Sequence, residues 1–348
     1  MPTSTTASHR HDIADLRPAV TDPVARTARW IHDVVEAGAL PACRAGEGRT
    51  AEHLALLADL GTVDLDLARL GEAHLDALAI LAELGAADLD RPGAVWGVWA
   101  ANPPVDPVRA EPAGSGWRLT GTKPWCSGAG TCDLALVTAL ADDGYRMFAV
   151  DLAEGSTGPV DGTWPPAAMA GSDSRSVRLD GTPATPVGGP EAYLRRAGFW
   201  YGAVGVAAVW WGGARGVARA LQRAHARRPL HPHALAHAGA VDAGLASSWA
   251  LLADAAHRID ADPADLAGTA QLTAGRARAA VEQVATDVIA RTGRALGAAP
   301  LALDGEHARR VADLELYLRQ SHAERDLEQL GELALGSGAA PWDGAGTS

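Results

Sequence analysis

Phenylalanine is almost missing from this sequence, with two copies, and methionine has three. Trp fills part of that gap with 11 copies. Cysteine is scarce and odd in number: Cys43, Cys126 and Cys132 fit no disulfide framework, which points to free thiols in a reducing compartment. Cys126 and Cys132 are separated by five residues, a spacing that matches no common zinc pattern. There is no run of Lys or Arg long enough to build a basic face, and the net charge is -12, which argues against a nucleic-acid partner. No apolar run approaches the length needed to cross a bilayer, since residues 203–217, the best candidate, are broken by glycines and Arg215. The opening "MPTSTTASHRHD" is polar and has no signal core. These absences together predict a soluble, cytoplasmic protein without nucleic-acid or membrane partners. What is present is ample for a large core: 47% of the 348 residues are hydrophobic.

The texture of the chain changes twice. Up to about residue 90 it reads as helices. "TDPVARTARWIHDVVEAGALP" starts with Asp22 as N-cap and Pro23 at the first helical position, with Val24, Ala28, Ile31 and Val35 on one face. "AEHLALLADLG" and "GEAHLDALAILAELG" follow, each read as ending on a capping Gly. From about Arg91, prolines cluster and short runs such as "GWRLTG", "DLALVTAL", "YRMFAVDL" and "SVRLDG" alternate with turn signals, which predicts strands. Past "GGPEAYLRRAG" long helices are expected over 203–228, 233–259, a stretch restarting at Asp262 and Pro263, and 306–335. The expected fold is α+β: an N-terminal helical domain (1–90), a middle antiparallel β domain (91–190), a C-terminal four-helix bundle (191–335) and a disordered tail (336–348).

"GSGWRLTGTKPWCSGAGTCDLALV", "MAGSDSRSVRLDG", "GGARGVARALQRAHARR" and "RRVADLELYLR" occur in an order that resembles the acyl-CoA dehydrogenase superfamily. The resemblance covers roughly Arg91 to Leu335. It implies bound FAD, a homodimer or homotetramer, and an electron acceptor or flavin reductase as partner. Trp125 would lie against the flavin ring and Ser127 would bond its N5 edge, a broad aromatic and a small hydroxyl suited to those tasks. Gly128 and Gly130 would let the backbone approach closely. Arg227 or its neighbour Arg228, in "RRPLH", would meet the FAD phosphates. Arg294 and Gly297, in "RALGA", stand where the family closes over the dinucleotide from a neighbouring subunit.

The family's proton-abstracting Glu is replaced. Its two usual positions fall on Ser321, in "RQSHAERD", and on Tyr201. Serine is a far weaker base than a carboxylate. Glu324, three residues on and so expected on the same helix face as Ser321, and the adjacent His322 are the nearest alternatives. His225, His231, His233 and His237 lack a carboxylate or Cys at ligand spacing and are read as solvated, with no metal site. The resemblance therefore implies an FAD-dependent α,β-desaturation of a small-molecule acyl substrate, with CoA and a carrier protein as the candidate carriers. A flavin-dependent monooxygenase or N-hydroxylase on the same fold, and a degenerate homologue acting as a scaffold, are the alternatives.

Overall fold

The computed structural model describes residues 13–41, 43–102, 105–165 and 167–336. Helix α1 (Pro23–Glu36) begins as its sequence predicts, with Asp22 Oδ1 accepting from Ala25 N at 2.8 Å behind Pro23. Its buried face is Thr27, Trp30, Ile31 and Val34, one step round from the expected Val24, Ala28, Ile31 and Val35. Helices α2 (Thr50–Val63) and α3 (Leu65–Glu83) meet at Asp64, whose Oδ1 accepts from Asp66 N and Leu67 N and so starts α3.

Gly61 lies inside α2 and does not cap it. The reason is a helix crossing. Helix α4 (Gly198–Arg227) passes so close that a methyl group on Gly61 would lie 2.3 Å from Val209 O, and one on Gly212 would lie 2.0 Å from Ala58 O. Glycine is required here by backbone contact, and Thr62 Oγ1 bonds Gly212 O at 3.1 Å across the crossing. Gly212→Ala is expected to destabilise the protein by about 1–3 kcal/mol through overpacking, read as a lowered Tm. A Tm equal to that of the wild type would contradict this crossing.

The strands are β1 (Trp96–Trp99), β2 (Arg109–Ala113), β3 (Gly116–Lys123), β4 (Leu134–Ala141), β5 (Gly144–Asp151), β6 (Thr157–Val160) and β7 (Ser176–Val187). Most neighbours pair antiparallel as expected, but β4 pairs parallel with both β1 and β2. β4, β2, β3, β7 and β5 bond in sequence, and β5 returns to β4, which closes a small five-stranded barrel. Leu119, Val137, Phe148 and Val177 fill it. Strand β3 shows the alternation read from "GWRLTG": Leu119 is buried while Arg118 and Thr120 are exposed.

Helices α5 (Pro232–Ala261) and α6 (Ala270–Leu296) are continuous. Asp262 does not cap α6. It ends α5, its carboxylate accepting from Leu266 N and Ala267 N, and α6 starts eight residues later at Ala270. The expected final helix is two helices, α7 (Gly305–Leu318) and α8 (Glu324–Gly336). Ala323 breaks it with a left-handed φ of 50°, and Ser321 Oγ accepts from Ala323 N in the turn. The expected tail starts at Gly336, which closes α8; residues 337–348 lie outside the described residues. No described helix is long and apolar enough to cross a membrane.

Candidate active site

Strand β3 delivers Lys123 into the protein interior. Its ammonium donates to Thr138 O (2.6 Å), Thr138 Oγ1 (2.8 Å) and Asn102 Oδ1 (2.9 Å), with no carboxylate among these partners. Burial therefore pushes Lys123 down to about 7. These bonds fix the carbonyl end of Asn102, which lines the large cavity and whose amide nitrogen makes no hydrogen bond among the described residues.

The turn after Lys123 is tightly specified. Trp125 adopts a left-handed φ of 60° and remains 63% exposed, an unusual state for so large a side chain. Its indole meets the edge of Trp164, with centroids 5.9 Å apart. Gly128, at φ 73°, leaves no room for a side chain: a methyl there would lie 2.5 Å from Cys132 Sγ. Backbone bonds fasten this turn to the loop 169–175, from Gly128 N to Ser172 O and from Ala129 N to Asp173 O. Asp173 Oδ2 accepts from Gly130 N at 2.8 Å.

Ser127 Oγ lies 2.8 Å from Ser174 Oγ, which lies 2.9 Å from Ser172 Oγ, which donates to Met169 O at 2.8 Å. A hydroxyl has one proton. Because Met169 O can only accept, Ser172 spends its proton there, Ser174 donates to Ser172, and Ser127 donates to Ser174. Ser127 is thus left with only lone pairs for the cavity it lines, and it presents an acceptor there.

Helices α3 and α7 hold that loop in place. Asp313 Oδ1 accepts from Met169 N at 2.6 Å and Asp66 Oδ1 from Ser172 N at 3.1 Å. Arg309 bonds Asp313 (2.7 Å) and Asp64 (2.9 Å) and lies 3.6 Å from Asp66. Burial, with Asp64 and Asp313 alongside, pushes Asp66 up to about 8. Within this group of carboxylates, Asp66 therefore keeps a proton to higher pH than an ordinary Asp. Between its unfolded value of about 4 and about 8, the folded chain holds a proton that the unfolded chain has lost, so stability falls as pH rises through that window. Asp66→Asn, which mimics the neutral acid, is expected to flatten this part of the dependence, measured as Tm at the two ends of the window. An unchanged slope would show that Asp66 does not carry it.

These elements enclose a cavity of about 960 Å³, within the range of small-molecule and cofactor sites. Trp125, Ser127, Ser321 and His322 line it. Ser321 is buried in the turn between α7 and α8, and His322 is exposed with its N and Nδ1 on Asp326, 3.0 and 3.3 Å away. Because that turn is not helical, Glu324 does not share a helix face with Ser321; it opens α8, exposed, and does not line the cavity. Tyr201, the other vacated position, points elsewhere: its hydroxyl donates to Asp262 O at 3.0 Å, and it lines an adjoining pocket of about 270 Å³ that shares Glu72, Asp76, Arg196 and Gly202 with the larger cavity. Arg227, Arg228, Arg294 and Gly297 are exposed near helix ends and do not line the larger cavity.

A buried carboxylate does face the cavity, on α3. Glu72 Oε2 accepts from Arg69 at 2.6 Å and lies 3.5 Å from the hydroxyl of Tyr317, while Oε1 makes no hydrogen bond among the described residues. Burial raises its pKa, against the opposing pull of Arg69. In the sequence Arg69 and Glu72 look like a surface pair three residues apart. Only the near-complete burial of α3 distinguishes them from one. The histidines His225, His231, His233 and His237 form no metal cluster among the described residues.

No family model and no curated protein matches the sequence. Solved structures match its shape along nearly the whole chain. TdsC from Paenibacillus sp. A11-2, determined with FMN and indole, superposes with TM-score 0.77 and 18% identity over 95% of both chains. Methanesulfinate monooxygenase MsuC from Pseudomonas fluorescens gives TM-score 0.80 and 16% identity over 97% of this chain and 98% of that one. A nitrososynthase from Micromonospora carbonacea var. africana gives 0.79 and 19%, with the same coverage. The chain therefore has the acyl-CoA dehydrogenase-like fold that its β3 strand and Trp-x-Ser turn imply.

Proposed function

We propose that this protein is a flavin-dependent oxygenase of a small organic substrate, with reduced FMN as the flavin. One observation carries the reading. The cavity that Trp125 and Ser127 line has no carboxylate at either position where an acyl-CoA dehydrogenase keeps its base, Ser321 and Tyr201. The similarity to TdsC with bound FMN and to a methanesulfinate monooxygenase supports oxygenation over the desaturation implied by sequence. The FMN bound in TdsC supports FMN over FAD.

The residues fit a flavin. Trp125, unusually exposed, offers an aromatic face to an isoalloxazine ring, and the Ser127 lone pair suits the N–H that a reduced flavin carries at N5. Reduced flavin bound beside Trp125 and Ser127 would supply the two electrons that let one atom of O₂ enter the substrate while the other leaves as water. The chain does the rest. Asn102 donates hydrogen bonds from the cavity wall. Trp125 and Trp164, packed edge to face, form one aromatic wall. Glu72 Oε1 accepts the proton that leaves the substrate, and Tyr317 and Arg69 hold the other oxygen of the same carboxylate.

The test supplies reduced FMN, isotopically labelled O₂ and indole. Label in an oxygenated indole product is the expected result. Anaerobic bleaching of bound flavin by an acyl-CoA, without oxygen incorporation, would return the protein to desaturation.

A further inference from the structure

Four arginines line the large cavity: Arg69, Arg196, Arg278 and Arg319. Three are neutralised. Arg69 pairs with Glu72 (2.6 Å), Arg196 with Asp76 (3.1 Å) and Glu83 (2.9 Å), and Arg319 with Glu282 (3.2 Å). Arg278, near the middle of α6, makes no ion pair among the described residues. Its guanidinium lies over the Trp210 ring, 4.5 Å from the centroid, and its one hydrogen bond among the described residues is a long one, 3.4 Å to Ala203 O. Stacking occupies the flat face of a guanidinium and leaves its N–H edge free. The acids nearest to it in electrostatic effect are Asp326, Glu282 and Glu72. Each is already engaged, by His322, Arg319 and Arg69 respectively. A partly buried cation is thus held in a substrate-sized cavity with most of its five donors unused among the described residues.

We infer that Arg278 is the anchor for a carboxylate on the substrate, which makes the substrate a small organic acid with an apolar body. The apolar body is accommodated by Ala203, Val206 and Leu330, which line the same cavity. A carboxylate matches the planar fork of a guanidinium, and a charge-assisted pair is among the stronger polar contacts. The place of this acid in catalysis rests on the oxygenase reading; its binding does not.

The probes are indole-3-carboxylate and indole, titrated calorimetrically into wild type, Arg278→Gln and Arg278→Lys, with FMN titrated in parallel. Wild type is expected to bind the carboxylate at least about tenfold more tightly than indole. Arg278→Gln should abolish that preference, Arg278→Lys should keep part of it, and FMN affinity should be unchanged in both. Equal binding of the two probes by wild type would overturn the inference. So would an Arg278→Gln variant that loses FMN affinity but keeps the preference, since that would assign Arg278 to the flavin phosphate. A carboxylate preference that depends on Arg278 in a protein that binds no FMN would support the anchor and sink the oxygenase reading alone.

Discussion

Glu72→Gln is expected to lower turnover by about 100- to 10,000-fold, the usual contribution of a positioned general base, while flavin and substrate affinities change little. Glutamine preserves the shape of the side chain and an oxygen that can accept from Arg69 and Tyr317, so the packing between α3 and α7 survives. What it loses is the lone pair on Oε1 that takes a proton. The wild-type rate carries a second signature. Burial raises the Glu72 pKa, so the active, deprotonated form is lost on acidification at a higher pH than for an ordinary Glu, and the acid limb of kcat against pH should lie above about 4.3. Glu72→Gln should lack that limb. A variant with wild-type kcat would remove Glu72 from the chemistry, and a wild-type profile flat through the weakly acidic range would show that its carboxylate is not the group being titrated.

Ser174→Ala is expected to narrow the preference for reduced over oxidised FMN by about tenfold, the scale of one hydrogen bond whose loss leaves its partner unmatched. Ser174 lines the same cavity as Ser127 and bonds its hydroxyl at 2.8 Å. Its effect would pass through proton direction. In the wild type the relay from Ser127 through Ser174 and Ser172 to Met169 O fixes Ser127 as an acceptor, suited to the N–H of reduced flavin and unsuited to the bare N5 of oxidised flavin. Without Ser174 the Ser127 hydroxyl is free to turn and donate. The midpoint potential of bound flavin should accordingly fall by about 30 mV, the equivalent of tenfold for a two-electron couple. An unchanged potential would mean that the relay does not set the direction of Ser127.

The parts of this site that were legible in the sequence are those built by local chemistry. The β3 strand shows in a few alternating residues, and the Trp125 to Gly130 turn in its crowded small residues. Asp22 and Pro23 mark a helix start that depends only on neighbours in the chain. What escaped depends on distant packing. Gly61 looks like a helix end because nothing in its own segment announces that α4 crosses there. The break at Ala323 was hidden by residues with good helical propensity on both sides, and with it went the expectation that Glu324 shares a face with Ser321. Glu72 and Arg278 are ordinary helix charges in sequence. They become the buried carboxylate and the unpaired cation of one cavity only when α3, α4, α6 and α7 come together.

The proposed function requires that the Trp125 turn face a flavin. Titration of the purified protein with FMN, oxidised and then anaerobically reduced, tests it most directly. Saturable binding of one flavin per chain is expected, tighter for the reduced form and lost in Trp125→Ala, with quenching of flavin fluorescence as the indole covers the ring. Free-solution flavin spectra throughout the titration, in both redox states, would contradict it.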